Sequence, residues 1–132
     1  FSSIGYVKTL DKLTSALECF NNHLKDNGLA IIEPWFTPDS WYAGKIHMLT
    51  YEKDDLKICR MNRSETNEKI STINFHYLLG TSDDGVRHFE ELHELGLFSK
   101  NEMMNAFAES NFAVTYDEQG LIGRGIYYAE KK

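Results

Sequence analysis

Residues 28–35, GLAIIEPW, decide the fold predicted for this chain. The stretch contains a turn glycine, four consecutive apolar residues, and then Glu33, a proline and an indole. Four apolar residues in a row are typical of a strand buried on both faces, and polar residues that follow such a strand are typical of a ligand site in an open α/β sheet. We therefore expect a buried strand over residues 29–33 with functional side chains at its carboxyl end.

The residues before this strand predict a helix that completes an αβ unit. Thr9 is a suitable N-cap, Asp11 lies in the first turn, where a negative charge interacts favourably with the helix dipole, and Asn27-Gly28 is a typical left-handed stop. Apolar residues recur at steps of three and four and so share one helical face. That face consists of Leu10, Leu13, Leu17, Phe20 and Leu24.

Composition limits the classes of protein to be considered. The chain has 132 residues, 42% of them hydrophobic, which is enough for one sizeable core. Its net charge of −6 argues against nucleic acid as a partner, since binding phosphates normally requires a basic face. No run reaches the roughly 18 apolar residues of a membrane span, and no segment resembles a secretion signal. We expect a cytoplasmic protein with reduced, structural Cys19 and Cys59 and no membrane partner.

The middle of the chain predicts an antiparallel insertion. Residues 45–51 and 56–63 have the composition of strands, and the polar residues 52–55 between them are a plausible hairpin turn. Residues 73–79 alternate between apolar and polar side chains, which is typical of a strand with one apolar face.

The remainder of the chain predicts a strand, a capped helix and two further strands. Residues 86–98 fit both a helix and a strand, and we predict a strand because Gly96 would weaken a helix. A new helix begins after Ser99, which forms a capping box with Glu102. The two closing strands lie at residues 112–116 and 125–129.

Five segments, taken in their order and spacing, resemble the carboxyl-terminal half of S-adenosylmethionine-dependent methyltransferases. These are FSSIGY at the start of the chain, GLAIIEPW, VRHFEELHELGLF, the capped helix and GLIGRGIYYA. The resemblance covers essentially the whole chain. It is strongest to the N-methyltransferases that modify the amino group of nucleotide-linked deoxyamino sugars.

The resemblance implies an α/β fold, the carboxyl-terminal half of a Rossmann-like class I methyltransferase sheet with an antiparallel β insertion over the active site. The family sheet is mostly parallel with a reversed last strand, and residues 29–33 would be its fifth strand. The chain is then a single partial domain. It consists of a helix and fifth-strand unit at 1–44, the insertion at 45–98, and the terminal helix and strand pair at 99–132.

The same resemblance implies S-adenosylmethionine as cofactor, bound mainly by an amino-terminal half that this chain lacks. The family's glycine-rich loop and its ribose-binding acidic residue belong to that half, and no Asp-x-x-x-Gly-x-Gly pattern occurs here. Gly120, Gly123 and Gly125 precede a strand rather than a helix and predict a turn, not a phosphate cradle. We expect the chain alone to bind the cofactor poorly and to be inactive.

The implied reaction is attack of a small-molecule amine on the sulfonium methyl group. An amine with a pKa of about 10.4 is neutral in only about one molecule in a thousand near pH 7, so the site must help deprotonation. Tyr6 lies where the family places a residue beside the reacting amine, and some relatives carry histidine there. Because a tyrosine of ordinary pKa is a poor base, we assign Tyr6 to orienting the amine, with packing under the loop as the alternative.

Five other residues, four of them in the matching motifs and Trp41 outside them, are candidates for the site. Glu33 is assigned to catalysis, where its carboxylate would hold a sugar hydroxyl or the cationic amine, and a structural ion pair is the alternative. Trp35 and Trp41 would stack on a sugar or a base, or pack in the core. Arg124 would grip a diphosphate with its planar guanidinium, or form a surface salt bridge. Ser3, in the first loop, is assigned to the acceptor.

His88 and His93 lie five residues apart on a predicted strand and therefore face opposite sides. This spacing does not match the i, i+4 spacing of a helical zinc pair, and we predict no metal site. By the resemblance, this strand borders the acceptor pocket, where a histidine would contact the sugar or serve as an auxiliary base. A histidine hydrogen-bonded within the sheet is the alternative.

Two functions follow from the sequence. The first is the acceptor-binding half of a methyltransferase, and the second is a noncatalytic α+β module that binds a small ligand or a protein. In the first case the fifth strand lacks its usual neighbour, and an unpaired hydrophobic edge tends to pair with another chain. We therefore expect the isolated fragment to self-associate.

Overall fold

Residues 2–132 are described by a computed structural model and fall into two units. The first unit combines the chain up to Trp41 with residues 95–132, and the second contains residues 42–94. The predicted FSSIGY loop begins at Phe1, which lies outside the described residues.

The first unit contains two helices and a three-stranded sheet. A short 3-10 helix at Ser3–Val7 precedes α1, and the order of strands in the sheet is β1-β7-β6. β7 is antiparallel to both neighbours, so β1 runs parallel to β6. The elements are α1 (Leu10–His23), β1 (Leu29–Ile32), α2 (Lys100–Glu109), β6 (Phe112–Asp117) and β7 (Ile126–Lys131).

The core of the first unit lies where α1 and α2 pack with this sheet. Apolar side chains from both helices and from β6 and β7 are almost fully excluded from solvent, which gives this unit its main hydrophobic stabilisation. Its largest members are Leu13, Leu17, Met103, Phe107, Phe112 and Tyr127.

β1 differs from the predicted strand buried on both faces. Ile32 is buried, but Leu29 and Ile31 are 51% and 58% exposed. These two residues share one face because side chains alternate along a strand. Among residues 2–132, β1 pairs only with β7, so its second edge is open. The prediction of burial on both faces is therefore wrong for this chain.

Both predicted helix starts are confirmed. The Thr9 hydroxyl accepts a hydrogen bond from the Lys12 amide at 3.4 Å, which caps α1. At α2, the Ser99 hydroxyl accepts from the Glu102 amide at 3.2 Å, and the Glu102 carboxylate accepts from the Ser99 amide at 2.8 Å. This reciprocal pair is the predicted capping box.

The end of α1 lies earlier than the predicted stop. The helix ends at His23, and Leu24 is already extended with φ −76° and ψ 144°. Asn27 does adopt the left-handed conformation, with φ 58°, but it does so in the turn before β1. Neither α1 nor α2, the α-helices of the described residues, has the length and apolar character needed to cross a membrane.

The second unit contains the antiparallel insertion as a four-stranded sheet in the order β2-β3-β4-β5. β3 is antiparallel to β2 and β4, and β5 ends in two residues that belong to the first unit. Lys53 pairs with Leu56, so the hairpin turn is only Asp54-Asp55 and not the whole of residues 52–55. The strands are β2 (Ile46–Lys53), β3 (Leu56–Asn67), β4 (Ile70–Thr81) and β5 (Gly85–Gly96).

The two cysteines are free thiols in different environments. Cys59 is half-buried on β3, whereas Cys19 is exposed on α1. The Cys19 sulfur lies 3.8 Å from His23 Nδ1 one turn along the helix. Both thiols are free, as predicted, but Cys19 is exposed and does not contribute to the core.

Replacing Leu17 with alanine should lower the free energy of unfolding of the first unit by about 2–5 kcal/mol, because it removes a fully buried side chain and leaves a cavity. Leu10→Ala is the matched control. Leu10 lies on the same helix and is 42% exposed, so we expect a loss below about 1 kcal/mol. Both tryptophans belong to the first unit, so urea unfolding followed by tryptophan fluorescence reports this unit. Equal losses in the two variants would contradict the core assignment.

Candidate functional site

The carboxyl end of β1 is tied to the first loop of the chain. Ser2 is buried, and its hydroxyl donates a hydrogen bond to the Pro34 carbonyl at 2.9 Å. A Cβ added at Gly5 would lie 3.1 Å from the Trp35 Cβ and 3.0 Å from a Leu95 methyl, so these neighbours would have to move by a few tenths of an ångström to admit it. The loop is thus fixed against the segment that carries the predicted functional residues.

Glu33 directly follows β1 and is 6% exposed. Together with Ser3 it lines a cavity of about 300 Å³ whose remaining walls come from the first loop, α1 and β1. A carboxylate in such a place can accept hydrogen bonds from a hydroxyl or an amine. The structure therefore brings two of the predicted site residues, Ser3 and Glu33, to one cavity.

Tyr6 lies in the same 3-10 helix as Ser3, and its side chain is 49% exposed. The half-exposed ring agrees poorly with the alternative of an aromatic residue packed beneath the loop. About half of the residue's surface is thus accessible to a ligand that enters beside the loop. Its predicted role in orienting an amine stays a prediction.

Trp35 and Trp41 belong to a cluster of three aromatic rings. Their ring centroids are 5.8 Å apart, and Phe36 completes the cluster at 4.8 Å from Trp35 and 5.6 Å from Trp41. All three residues are only partly buried, so their rings are available for stacking. Sequence reasoning missed Phe36, although its place directly after Trp35 was a usable signal.

Arg124 lies above this cluster. Its guanidinium carbon is 5.1 Å from the centroid of the Trp35 ring and 5.0 Å from that of Phe36, within the range of cation–π interactions. Its Nη1 is buried and has no hydrogen-bond partner among residues 2–132. A buried guanidinium nitrogen without a partner is costly, and a phosphate or carboxylate oxygen would satisfy it. This arrangement differs from a surface salt bridge.

A cavity of about 250 Å³ opens beside the guanidinium. The hydroxyl-bearing residues Thr37, Ser40 and Tyr116 line it together with Trp35 and Arg124. A cation, aromatic faces and hydroxyl donors are the groups that bind a phosphorylated aromatic ligand. The negative charge of Glu118 at the same cavity opposes an anion and limits where one can bind.

Tyr116 stands at the end of β6 and is fixed by its neighbours. Its ring lies 4.6 Å from the Tyr127 ring, and Lys100 Nζ lies 4.2 Å from its centroid. Burial, followed by the charges of Glu118 and Asp117, raises the pKa of Tyr116. The phenol therefore stays protonated at neutral pH and can act as a donor. No local sequence pattern marked Tyr116 as a site residue, because its position depends on the pairing of β6 with β7.

His88 and His93 lie on β5 and belong to the second unit. His88 Nε2 is 3.2 Å from His76 Nδ1, whereas the His93 ring packs edge-on against Phe75 at 5.2 Å. Because Phe75 and His76 are consecutive on β4, the two histidines lie on opposite faces, as predicted. The structure does not bring them together, and their role toward an acceptor stays a prediction.

The chain is similar to enzymes that methylate nucleotide-linked amino sugars. It is 32% identical over 127 residues to a dTDP-3-amino-3,4,6-trideoxy-α-D-glucopyranose N,N-dimethyltransferase of Streptomyces venezuelae, covering 96% of this chain and 54% of that enzyme. It is also 32% identical to a dTDP-3-amino-3,6-dideoxy-α-D-glucopyranose N,N-dimethyltransferase of Streptomyces fradiae, covering 96% and 50%. The chain thus spans about half the length of the curated relatives it matches. No protein-family model matches it.

Solved structures agree with this similarity. DesVI of Streptomyces venezuelae has a TM-score of 0.92 and 30% identity, covering 100% of this chain and 56% of DesVI. The sugar N-methyltransferase KedS8 from a Streptoalloteichus species has a TM-score of 0.91 and 26% identity, covering 100% and 53%. The predicted resemblance to sugar N-methyltransferases is therefore confirmed.

The two glycines that flank Arg124 offer a matched pair of substitutions. Gly123 and Gly125 have φ of 77° and 79°, so alanine costs about 1–2 kcal/mol of backbone strain at either position. Only at Gly125 would the new Cβ overlap the Tyr116 ring, with Cε2 at 2.6 Å, whereas no described atom lies within 4 Å at Gly123. We expect Gly125→Ala to lower the unfolding free energy by about 1–3 kcal/mol more than Gly123→Ala in the same fluorescence assay. Equal costs would mean that Tyr116 does not pack on this turn.

Proposed function

We propose that this chain supplies the acceptor-binding part of an S-adenosylmethionine-dependent N-methyltransferase that acts on the amino group of a nucleotide-linked deoxyamino sugar. The observation that carries the proposal is the similarity of 96% of the chain, at 32% identity, to two enzymes named for this reaction. Because the chain spans about half of each relative, the activity is assigned to the whole protein. A nucleotide-linked sugar is a small charged substrate, which fits the predicted cytoplasmic location.

The first unit is assigned to the carboxyl-terminal half of a Rossmann-like class I sheet. Parallel β1 and β6 on either side of antiparallel β7 support this assignment. In that assignment the open edge of β1 is the place where the preceding strand of the sheet would pair. Two exposed apolar side chains on β1, Leu29 and Ile31, are the surface that such a neighbour and its helix would cover.

The described residues fit an acceptor better than the cofactor. Gly120, Gly123 and Gly125 all have positive φ, but they lead into β7 and not into a helix whose amino terminus would bind an anion. They do not form the glycine-rich cradle of the cofactor, whose binding is assigned mainly to residues outside this chain. When bound, the cofactor supplies an electrophilic methyl group. The roles below concern only the acceptor.

Glu33 and Tyr6 are assigned to the sugar end of the acceptor. A carboxylate beside the amine would stabilise the protonated ammonium, which has no lone pair and does not react. A carboxylate that accepts a hydrogen bond from a sugar hydroxyl orients the ring without this cost. We therefore assign Glu33 to a hydrogen bond with a sugar hydroxyl, and Ser3 to the same part of the acceptor. Tyr6 is assigned to orienting the amine so that its lone pair points at the methyl group. Fixing the nucleophile in line supplies much of the rate of such a transfer.

Arg124 and the aromatic cluster are assigned to the nucleotide end of the acceptor. The buried Nη1 of Arg124 fits one oxygen of a diphosphate, and charge-assisted hydrogen bonds of this kind are strong and directional. The exposed parts of Trp35, Phe36 and Trp41 fit the flat face of a base. The 250 Å³ cavity beside the guanidinium has room for a phosphate group and part of a sugar.

The product of the intact gene should methylate dTDP-linked amino sugars when it is given cofactor labelled in the methyl group. Glu33→Gln should lower kcat by about 100-fold, because the sugar is then held out of line. Tyr6→Phe should lower kcat by about 10-fold, the equivalent of one hydrogen bond. Glu109→Gln removes an exposed carboxylate at the end of α2 and is the matched control, with unchanged kcat.

Three outcomes of this experiment contradict different parts of the proposal. Tight cofactor binding without methylation of any amino sugar would reject the acceptor but keep the methyltransferase. No cofactor binding by the folded gene product would reject the methyltransferase. Melting temperatures of the Glu33 and Tyr6 variants that fall in proportion to their rates would show that these residues pack and do not act on the substrate.

The isolated 132-residue chain is expected to self-associate through the open edge of β1. Ile31→Lys places a charge on this exposed strand and should shift the chain to monomer, since charges on edge strands oppose pairing. Val86→Lys, at a 75% exposed position on β5, is the control and should leave the association unchanged. Size-exclusion chromatography with light scattering measures the mass. A stable monomer of the unmodified chain, or dissociation by the Val86 variant alone, would overturn this expectation.

A further inference from the structure

Two histidines of the second unit face each other across neighbouring strands. His76 on β4 and His88 on β5 have ring planes parallel to within 2° and ring centroids 5.4 Å apart. The facing nitrogens, His76 Nδ1 and His88 Nε2, are 3.2 Å apart. Imidazole nitrogen is the commonest protein ligand of metal ions, and two such nitrogens meet here.

The carboxylate of Glu90 completes a group of three ligands. Its Oε1 lies 3.6 Å from His76 Nδ1 and 4.0 Å from His88 Nε2. The three side chains are 47%, 48% and 55% exposed, so an ion can reach them from solvent. All three residues belong to the second unit, so the site does not depend on how the first unit folds.

The separations of the three atoms match the geometry of a tetrahedral ion. Zinc bonds to imidazole nitrogen and carboxylate oxygen are about 2.0–2.1 Å, so adjacent ligand atoms of a tetrahedron are about 3.4 Å apart. The observed separations of 3.2, 3.6 and 4.0 Å lie around this value. The two rings lie end to end with their facing nitrogens directed at each other, so both rings must turn about their side-chain bonds before these nitrogens can bind one ion.

We propose that His76, His88 and Glu90 form a surface site for a divalent transition-metal ion such as Zn²⁺, with the fourth position open to water. Two imidazoles and a carboxylate suit zinc and its neighbours in the first transition row better than Mg²⁺ or Ca²⁺. The ion links β4 to β5. His88, which the sequence placed near the acceptor, is assigned to the ion instead, whereas His93 packs against Phe75 on the opposite face of β5.

Asn74 lies beside two of the three proposed ligands, His76 and Glu90. Its Nδ2 lies 3.2 Å from His76 Nε2 and donates to it, which leaves the proton of the neutral ring on Nδ1, toward His88. Metal binding at Nδ1 requires this proton to move to Nε2. Asn74 Nδ2 also donates to Glu90 Oε2 at 3.4 Å, and a hydrogen bond of this kind to a ligand orients that ligand toward the ion.

Isothermal titration calorimetry of the 132-residue chain with Zn²⁺ tests the site. We expect saturable binding of one ion, and more than about 100-fold weaker binding in His76→Ala, His88→Ala and Glu90→Gln, because loss of an outer partner alone costs about 10- to 100-fold. Asn74→Ala should show the smaller loss. Two controls should bind like the unmodified chain. His47→Ala removes a histidine from β2, and His23→Ala removes the histidine that lies beside Cys19 on α1.

Co²⁺ gives a second measurement that does not depend on the heat of binding. Its visible absorbance should report a tetrahedral site in the unmodified chain and in both control variants, and should be lost in His76→Ala. Circular dichroism establishes that each variant is folded. Zinc affinity that is unchanged by His76→Ala and His88→Ala, or lost in His23→Ala, would overturn the proposal, as would the absence of saturable binding.

Discussion

The pairing of β1 with β7 is the constraint on which the rest of the first unit depends. Ile32 pairs with Tyr127, so the chain leaving β1 runs beside the chain entering β7 in the opposite direction. Continued by three residues, this register sets Trp35 opposite Arg124, and the guanidinium indeed lies 5.1 Å from the Trp35 ring. One backbone pairing thus joins two motifs far apart in the sequence, EPW and GRG, into one site.

Local signals in the sequence predicted the helices and strands of the fold. Features that depend on residues far away in the sequence were harder to predict. The caps at Thr9 and Ser99 were predicted because a cap involves only residues within one helical turn. The burial of β1 was predicted wrongly because four apolar residues indicate that a strand tends to be covered, not which element covers it. Among the described residues, no element packs over the face of β1 that carries Leu29 and Ile31, and both side chains are exposed.

The same distinction separates the parts of the candidate site. Glu33 was predicted because a polar residue after an apolar run is a local signal, and Arg124 because it lies between two glycines. Tyr116 depends on strand register and was missed. The histidines show the same limit. Spacing along the chain suggested a pair of His88 and His93, whereas the residue close to His88 is His76 on the adjacent strand.

The proposed substrate carries a diphosphate, while the chain has a net charge of −6. At physiological ionic strength, charges on the surface are screened beyond about 8 Å, so most of the negative side chains act weakly on a bound phosphate. A partly buried guanidinium in contact with the phosphate is screened much less, and its planar geometry favours bidentate binding. The phosphate is therefore attracted by the guanidinium that it contacts and not by the net charge of the chain. The cation–π contact with Trp35 holds this guanidinium in place when no anion is bound. The same contact offsets part of the cost of a buried Nη1 that has no hydrogen-bond partner among residues 2–132.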